Sequence, residues 1–529
     1  MEHEDAMEHG ERHDPGRVDV LVVGAGPTGL MLANWLVKLG VRVLLIDGKD
    51  GPTVESRALG VHSRSMEIYD QLGVVDRVLA EAVHAESVRP GFGRTAFPAV
   101  PLGGLGRGLS PYPGMHMLEQ SANERLLVDN LQVLGGSVRW GHRLRSLDQV
   151  DGGVVAVVEG PMGTATVSAR FAVGCDGASS RVRTLSGIAF QGTTSRQTFY
   201  LIDAVGVSGL PPASVNIRQE ATEFLLAFPM RPDATGRNGQ RLIGTAGDDD
   251  IPSVTEDFAR RRMAESFGVT YEDYRWFSTY RIHHRIAAHF CTGSVFLAGD
   301  AAHVHSPVGA QGMNTGLQDA HNLAFKLADV IAGRAPETLL SRYEAERRPV
   351  AVRLLTTTDL VFRGLTSSSK VVMAVRRYVP RVVLPVAVTL VPRLPLGRRL
   401  AGYLGQIRIH YWMDGSTVRR RRDAVVGRRL QWTGENFDVL RSATWQLHLY
   451  AADEAGIRHA EATAQEFGLP LHRFTTTGST PLRPGILYLV RPDGFVAAAS
   501  RPEDAVQALH AAGGYQPTSS PAGGRRSSG

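Results

Sequence analysis

The sequence predicts an α/β protein with a Rossmann-like N-terminal unit, a strand-rich middle part and a small α/β unit near its C-terminal end. A glycine-rich turn at Gly24 joins a β-branched run to a helical pattern. Apolar runs bounded by turn residues occupy much of Phe190–Phe290, and helix and strand patterns alternate again after Asp423. A chain of 529 residues exceeds one ordinary core, so several domains are expected.

The composition argues against several classes of protein. Apolar residues make up 43% and charged residues 21% of the chain, which is typical of a globular protein. Cys175 and Cys291 form no CxxC motif or Cys/His cluster, so we expect neither a metal site nor a disulfide framework. The apolar stretch Val382–Pro392 is too short to cross a bilayer, and the N-terminal residues lack the apolar segment of a secretory signal. We therefore expect a soluble cytoplasmic protein without a membrane partner.

A βαβ unit opens the folded part of the chain. Val18–Val23 predicts a buried parallel strand, and Leu30–Leu39 predicts a helix. Val41–Ile46 predicts a second strand, and Asp47 follows it where a carboxylate accepts hydrogen bonds from ribose hydroxyls. The glycines of Gly103–Gly108 have no strand before them, so we find no second dinucleotide-binding fold.

The turn between the first strand and the helix has the chemistry of a dinucleotide site. Gly24 permits a tight turn, Gly26 lets the backbone approach a pyrophosphate, and Gly29 lets helix and strand pack closely. Pro27 and Thr28 lie in this turn, before the predicted helix, whose N-terminal N–H groups and dipole favour an anion. This motif does not by itself distinguish FAD from NAD.

Two later motifs distinguish FAD from NAD, because they resemble motifs of a known family. Val173–Arg183 resembles the Asp-Gly motif of class A flavoprotein monooxygenases, and Val295–His303 resembles their Gly-Asp motif. His305–Leu327 and Tyr343–Pro349 continue the resemblance, which spans about residues 18–500. It implies an FAD-dependent aromatic monooxygenase of the phenol- and polyketide-hydroxylase branch. The implied fold is a Rossmann-like FAD-binding domain of the p-hydroxybenzoate hydroxylase type, an α+β substrate domain built on a β-sheet, and a thioredoxin-like C-terminal domain.

The resemblance assigns cofactor-binding residues along the chain. Arg57 resembles an arginine that reaches the pyrophosphate, with a solvated arginine as the alternative. Gln120 resembles a glutamine that contacts the cofactor, with a helix-capping residue as the alternative. Asp300 is expected to accept a ribityl hydroxyl. The full expected FAD site comprises Gly24, Gly26, Pro27, Thr28, Gly29, Asp47, Arg57, Gln120, Asp176, Gly299, Asp300, Pro307, Gly309, Gly312, Met313 and Asn314.

Two adjacent residues depart from the family pattern. Asp47 stands where the family usually has glutamate, and Gly48 follows where a bulkier residue is common. The shorter carboxylate puts the ribose contact in question, whereas the fold prediction does not depend on it.

The resemblance also implies a reaction. NADPH or NADH reduces FAD, and reduced FAD binds dioxygen at C4a. The resulting hydroperoxide hydroxylates an aromatic, polycyclic, polyketide-like natural product. Phe199, Phe224 and Phe228 are expected to line the substrate pocket, although aromatic residues in such strands more often belong to the core. A Baeyer–Villiger or ring-opening oxygenase, and a flavin-binding reductase or scaffold without oxygen activation, stay open as alternatives.

No catalytic base is assigned from the sequence. His303 and His305 follow the Gly-Asp motif and His283 and His284 precede it, and all four are interpreted as structural. The net charge of +6 favours anionic partners but identifies none. The basic run Arg419–Arg422 has no interleaved aromatic residues, so we interpret it as a solvated linker and expect no nucleic-acid partner.

The C-terminal segment Ile486–Ala497 resembles the last hairpin of the thioredoxin-like domain, with Asp493-Gly494 as its turn. This domain has no cysteine, so thiol redox chemistry is excluded and a structural or dimer-supporting role is expected; a monomer and a homodimer both stay open. The expected divisions are tails at 1–16 and 516–529, an FAD-binding domain at 17–189 and 291–360, a substrate-binding β-sheet domain at 190–290, a helical connector at 361–422 and the thioredoxin-like domain at 423–515.

Overall fold

The structure is a computed structural model that describes most of the chain. The described residues are 17–54, 58–103, 106–220, 223–246, 253–306, 309–366, 371–372, 374–375, 377–379, 395–411 and 424–511. Both expected tails, part of the expected connector at 361–422, and the expected cofactor residues Arg57 and Pro307 lie outside these ranges.

The described strands belong to four sheets. In chain order they are β1 Arg17–Val23, β2 Val43–Ile46, β3 Gly60–His62, β4 Val83–His84, β5 Ser87–Phe92, β6 Thr95–Ala96, β7 Val100–Pro101, β8 Met115–Met117, β9 Val138–Arg139, β10 Arg143–Val150, β11 Gly153–Gly160, β12 Gly163–Gly174, β13 Phe190–Val205, β14 Ser214–Glu220, β15 Glu223–Met230, β16 Gly239–Thr245, β17 Asp273–Ala287, β18 Cys291–Thr292, β19 Val295–Leu297, β20 His303–Val304, β21 Gln446–Tyr450, β22 Leu471–Phe474, β23 Leu487–Val490 and β24 Val496–Ser500.

The described α-helices cover the sheets. In chain order they are α1 Pro27–Lys38, α2 Ser63–Leu72, α3 Val75–Glu81, α4 Gln120–Val133, α5 Arg181–Leu185, α6 Glu256–Arg262, α7 Gly312–Ile331, α8 Ser341–Thr366, α9 Pro395–Leu404, α10 Glu454–Phe467 and α11 Ala505–Ala511. No helix among the described residues has the length and apolar character needed to cross a membrane.

The first sheet carries the dinucleotide motif. Its main path runs β10-β11-β12-β1-β2-β9, with β19 beside β12 and β18 beside β19. Strand β1 pairs in parallel with β2 and β12, and β12 pairs in parallel with β19. Because the carboxyl ends of parallel strands meet at one edge, the loops that carry Gly24, Asp47, Asp176 and Asp300 converge there. Helix α1 packs against α4 and α7 on this sheet.

The second sheet stands beside that edge. Its path runs β20-β17-β13-β16-β15-β14-β5-β6, with β7 beside β5. Alternation along β13 sends Leu201 and Ile202 to opposite faces, so each face has its own apolar cluster. Helix α6 covers the cluster that contains Ile202. Strands β5 to β7 join this sheet, although the expected boundaries assign their residues to the FAD-binding domain. Strand β5 pairs with β14, which lies far along the chain, so local sequence patterns did not indicate this pairing; β6 and β7 pair with β5.

The third sheet lies at the C-terminal end, in the order β22-β21-β23-β24. Strands β21 and β22 are parallel and connected through helix α10, whereas β23 and β24 are antiparallel to their neighbours and precede α11. The strand order and the β-α-β and β-β-α parts resemble the thioredoxin fold, although no helix connects β22 to β23 among the described residues. Phe467 and Leu489 lie in the apolar cluster of this unit.

Candidate active site

A cavity of about 1310 Å³ lies where the first and second sheets meet. The β1–α1 turn and the loops after β2, β12 and β19 line one side, and β13, β15, β16 and β17 line the other. The expected cofactor residues that line it are Gly24, Gly26, Pro27, Thr28, Asp47, Gln120, Asp176, Asp300, Gly312 and Met313. The fold therefore brings to one site residues that are far apart in the sequence.

The three glycines of the first turn have different surroundings. Gly24 has a φ of 104°, in the left-handed region that favours glycine. A Cβ on Gly24 would collide with the backbone of Cys175, and one on Gly29 would collide with the Gly24 carbonyl. No described residue lies within 4 Å of the Cβ position of Gly26, which lines the cavity. Two glycines therefore permit close packing and the third leaves room for a ligand.

Helix α1 presents its N-terminal end to this cavity. Gly26 is the N-cap, no side chain of the described residues caps the helix, and its first turn contains no acidic residue. Thr28, also at the cavity, belongs to this turn. The first N–H groups of a helix have no intrahelical acceptor, and the helix dipole adds positive charge. This end of α1 therefore fits a pyrophosphate.

Asp47 holds the loop after β2 against the β1–α1 turn. Its Oδ2 atom accepts a hydrogen bond from the Ala25 amide at 2.6 Å, and its Oδ1 atom accepts one from the Lys49 amide at 2.8 Å. Each carboxylate oxygen has a further lone pair. The shorter acid can therefore still accept a ribose hydroxyl while it fixes the turn.

Gln120 is held by Glu124, one turn later in helix α4. Gln120 Nε2 donates to Glu124 Oε1 at 2.9 Å, and the Thr53 amide donates to Glu124 Oε2 at 2.8 Å. The N-cap of α4 is Glu119, and no side chain caps this helix. Glu124 is buried and also lines the cavity. Sequence reasoning missed it, although its i, i+4 spacing from Gln120 was a usable signal.

Asp176 accepts hydrogen bonds from residues at the start of helix α5. Its carboxylate accepts hydrogen bonds from Ser180 Oγ at 2.5 Å, the Arg181 amide at 2.6 Å and the Val182 amide at 3.1 Å. Burial raises the pKa of Asp176, and these hydrogen bonds oppose that shift. Asp176 therefore fixes the loop after β12 at the cavity edge.

Asp319 anchors the loop that carries Asp300. The Asp319 carboxylate, in helix α7, accepts a hydrogen bond from the Gly299 amide at 3.2 Å and lies 2.7 Å from His303 Nε2. Its other oxygen lies 2.6 Å from Arg347 Nε. Burial alone would raise the pKa of Asp319, but Arg347 and His303 hold it below its usual value. The charged carboxylate thus ties Gly299 to α7 and leaves Asp300 at the cavity.

Helix α7 begins at the cavity, where Gly312 and Met313 line the wall. Asn314 is fully buried and turns away from it. Asn314 Nδ2 donates to the carbonyls of Gly60 and Ala310, both at 2.8 Å. Asn314 is therefore a positioning residue that joins the start of α7 to strand β3.

His62 also contacts the start of helix α7 and the loop before it. Its backbone amide donates to Asn314 Oδ1 at 2.8 Å. Its Nε2 lies 3.0 Å from the Gly309 carbonyl and 3.1 Å from the Ala310 carbonyl, so Nε2 carries the proton. Burial lowers the pKa of His62 to about 4. The neutral imidazole, together with Asn314, holds Gly309 and the loop before α7; sequence reasoning did not identify His62.

The second sheet supplies an apolar wall. The residues that line it are Leu201, Phe228, Ile243, Tyr280 and Ile282. Phe199 and Phe224 lie in the cluster behind this wall, where the Phe199 ring contacts Phe224 at 5.9 Å and Tyr280 at 5.8 Å between centroids. Of the three expected pocket phenylalanines, the structure thus brings Phe228 to the cavity.

Two of the four histidines noted in the sequence, His283 and His305, also line the cavity. Burial lowers the pKa of His305 to about 4, and its Nδ1 donates to the Ser306 carbonyl at 2.8 Å. His303 is buried against Asp319. This geometry leaves His303 and His305 in structural roles.

Comparison with known proteins identifies the family of this chain. A family model described as an FAD binding domain matches residues 17–358. The chain belongs to the class A FAD-dependent aromatic monooxygenases. This monooxygenase is 32% identical over 512 residues to the 12-dehydrotetracycline 5-monooxygenase/anhydrotetracycline 6-monooxygenase of Streptomyces rimosus, covering 93% of this chain and 97% of the relative. It is 33% identical over 494 residues to a rifampicin monooxygenase of Streptomyces venezuelae, covering 91% of this chain and 95% of the relative.

A solved structure resembles this monooxygenase over most of its length. The anhydrotetracycline hydroxylase of Streptomyces rimosus superposes with a TM-score of 0.73 at 31% identity, covering 94% of this chain and 98% of that one. FAD is the cofactor of the family, and the residues at the cavity fit it. The identification of the chain as an FAD-dependent monooxygenase, made first from its motifs, is confirmed.

Proposed function

We propose that this monooxygenase hydroxylates a polycyclic aromatic natural product, with NADPH or NADH as the electron donor. The observation that carries the proposal is the continuity of the cavity, which runs from the Gly24 turn to the wall around Phe228. Pockets for one drug-sized ligand measure about 300–1,000 Å³. A cavity of about 1310 Å³ accommodates cofactor groups and a large substrate side by side.

Chain residues at the first sheet hold the cofactor. The α1 N-terminus receives the pyrophosphate, Asp47 the ribose and Asp300 the ribityl chain. Bound FAD supplies the redox chemistry that activates dioxygen. The N-terminal end of α7 lies at the cavity, and its dipole would stabilise negative charge on a bound flavin.

Chain residues at the second sheet hold the substrate. Leu201, Phe228 and Ile243 present apolar side chains to the cavity, which exclude water and suit an aromatic ring system. Arg241 at the same wall is neutralised by Asp203, with both Nε–Oδ1 and Nη2–Oδ2 at 2.7 Å. This pair leaves the wall suited to an uncharged polycyclic substrate. The names of the relatives, which refer to tetracycline intermediates and rifampicin, support this substrate class.

The experiment that tests the proposal is anaerobic reduction of the FAD-loaded protein by NADPH and by NADH, followed at the flavin absorbance. Each donor is mixed with the protein in the presence and absence of a panel of polycyclic phenols. We expect one phenol class to accelerate reduction strongly. A flavin reduced equally fast with every ligand and with none would contradict the proposal and favour the reductase alternative. A product with an enlarged or opened ring would favour the Baeyer–Villiger alternative.

A further inference from the structure

The loop after β2 is fixed to the start of strand β10 by main-chain hydrogen bonds. The His142 amide donates to the Asp47 carbonyl at 2.9 Å, and the Gly141 amide donates to the Lys49 carbonyl at 2.7 Å. Arg143 is the first residue of β10. The backbone of Arg143 is therefore held beside Gly48, which stands where the family commonly has a bulkier residue.

The side chain of Arg143 lies across Gly48. Arg143 Nη2 donates to the Gly48 carbonyl at 2.9 Å. A Cβ on residue 48 would lie 2.9 Å from Arg143 Cγ and 3.0 Å from Nη1, closer than such atoms normally approach. The missing side chain at Gly48 thus provides the space that the arginine occupies. A bulkier residue at position 48 would exclude the arginine from this place.

Gly48 and Arg143 both line the cavity, at the end marked by Asp47. Asp300 and Gly312 lie at the opposite end of the cavity, which we assign to the flavin. The α1 N-terminus lies between these two ends, so the end at Asp47 is where the adenosine of FAD belongs. Within the part of the chain that the structure describes, the polar partner of Arg143 is the Gly48 carbonyl. Arg145, two residues along the same strand, instead forms an ion pair with Glu159. The planar guanidinium of Arg143 is thus left with a free face at the adenosine end.

We propose that Gly48 and Arg143 form an adenine-binding pair, in which Gly48 makes room and the guanidinium face of Arg143 contacts the purine ring of FAD. A guanidinium on an aromatic face gains cation–π and stacking energy, which a lysine ammonium cannot reproduce in the same geometry. The pair explains why Gly48, and not the bulkier residue that is common in the family, follows Asp47. The inference rests on FAD occupying this cavity.

The test is a set of dissociation constants measured on apoprotein by quenching of flavin fluorescence. We expect Arg143→Ala to weaken FAD about tenfold, a change equivalent to about 1.4 kcal/mol. Arg143→Lys should weaken FAD nearly as much. AMP, used as a competitor, should lose affinity by the same factor, whereas riboflavin 5′-phosphate should bind unchanged. The proposed contact between Arg143 and adenine would be overturned if Arg143→Lys bound FAD with wild-type affinity. It would also be overturned if riboflavin 5′-phosphate lost as much affinity as FAD.

Two further variants test the pairing. Gly48→Ala should weaken FAD about as much as Arg143→Ala, and the double variant should be no weaker than either, because both changes remove one contact. Additive losses would overturn the pairing. Arg145→Ala is the matched control, since Arg145 lines the same cavity but is paired with Glu159; its FAD affinity should equal that of the wild type. Failure of the wild-type protein to bind FAD would instead refute the proposed function.

Discussion

Arg491 in the C-terminal unit forms a bidentate ion pair with Glu346 in helix α8, with Nη1–Oε1 at 2.7 Å and Nη2–Oε2 at 2.9 Å. Arg491 also pairs with Asp493, and Glu346 with Lys326 of helix α7; all four side chains are buried. Burial alone would raise the pKa of Glu346, but Arg491 and Lys326 hold it well below its usual range. The hairpin after β23 is therefore held on the two helices that follow the Gly-Asp motif.

Replacement of Arg491 should destabilise the whole protein. Arg491→Leu leaves Asp493 and Glu346 buried with less compensating charge, which costs about 3–5 kcal/mol in the free energy of unfolding. Urea unfolding of the FAD-loaded protein measures this loss. Arg501→Leu is the control, because Arg501 is exposed and its pair with Glu503 contributes only about 0–1 kcal/mol. Equal stability of the two variants would refute a structural role for this ion pair.

Removal of the Asp300 carboxylate should release the flavin. Asp300→Ala removes the acceptor that we assign to the ribityl chain but leaves the Gly299–Asp319 contact in place. We expect purified Asp300→Ala to carry little FAD, as measured by the ratio of flavin to protein absorbance. Asp148→Ala, an exposed change on β10 outside the cavity lining, should retain the wild-type ratio. Full flavin occupancy in Asp300→Ala would exclude the assigned role.

Phe228 and Phe224 should respond differently to truncation. Phe228 lines the cavity, so Phe228→Ala should alter the KM for a polycyclic substrate and the fraction of NAD(P)H consumed without product. Phe224 is buried behind the wall, so Phe224→Ala should cost about 3–5 kcal/mol of stability. Steady-state kinetics and thermal unfolding of both variants check the difference. Identical kinetic effects would contradict the separation of wall and core.

Acid should weaken the junction between strand β3 and helix α7. His62 has a pKa of about 4 when folded and 6.5 when unfolded, so between these values the unfolded state binds more protons. Stability therefore rises with pH across this window and is lost as pH falls from 6.5 toward 4. The wild type should lose up to about 1.4 kcal/mol per pH unit more than His62→Gln in urea unfolding. Equal pH slopes would show that His62 does not carry this dependence.

The dinucleotide turn could be predicted from local chemistry, and the later FAD motifs were identified by their resemblance to a family. The glycine spacing between a strand and a helix is a local pattern, although Gly24 also packs on the distant Cys175 backbone, and Asp47 ends a strand that is visible in the sequence. The motif of Asp300 likewise follows directly from strand β19. Such features depend on residues close together in the chain, which a single sequence reveals.

The supporting contacts could not be predicted, because they depend on register and tertiary packing. Asp319 and Arg347 lie on different helices, and Glu346 finds Arg491 only when the C-terminal unit packs on α8. Among the three expected phenylalanines, only the pairing of β13, β15 and β17 shows which one reaches the cavity. The domain boundaries stay predictions.

The most direct test of the central claim is oxygen transfer in a cavity shared by flavin and substrate. The FAD-loaded protein, NADPH or NADH, and the polycyclic phenol that most accelerates flavin reduction are incubated under ¹⁸O₂, and the product is analysed by mass spectrometry. We expect one ¹⁸O atom in a product that keeps its ring skeleton, and loss of that product in Asp300→Ala. Consumption of the donor that yields only hydrogen peroxide with every ligand would contradict it.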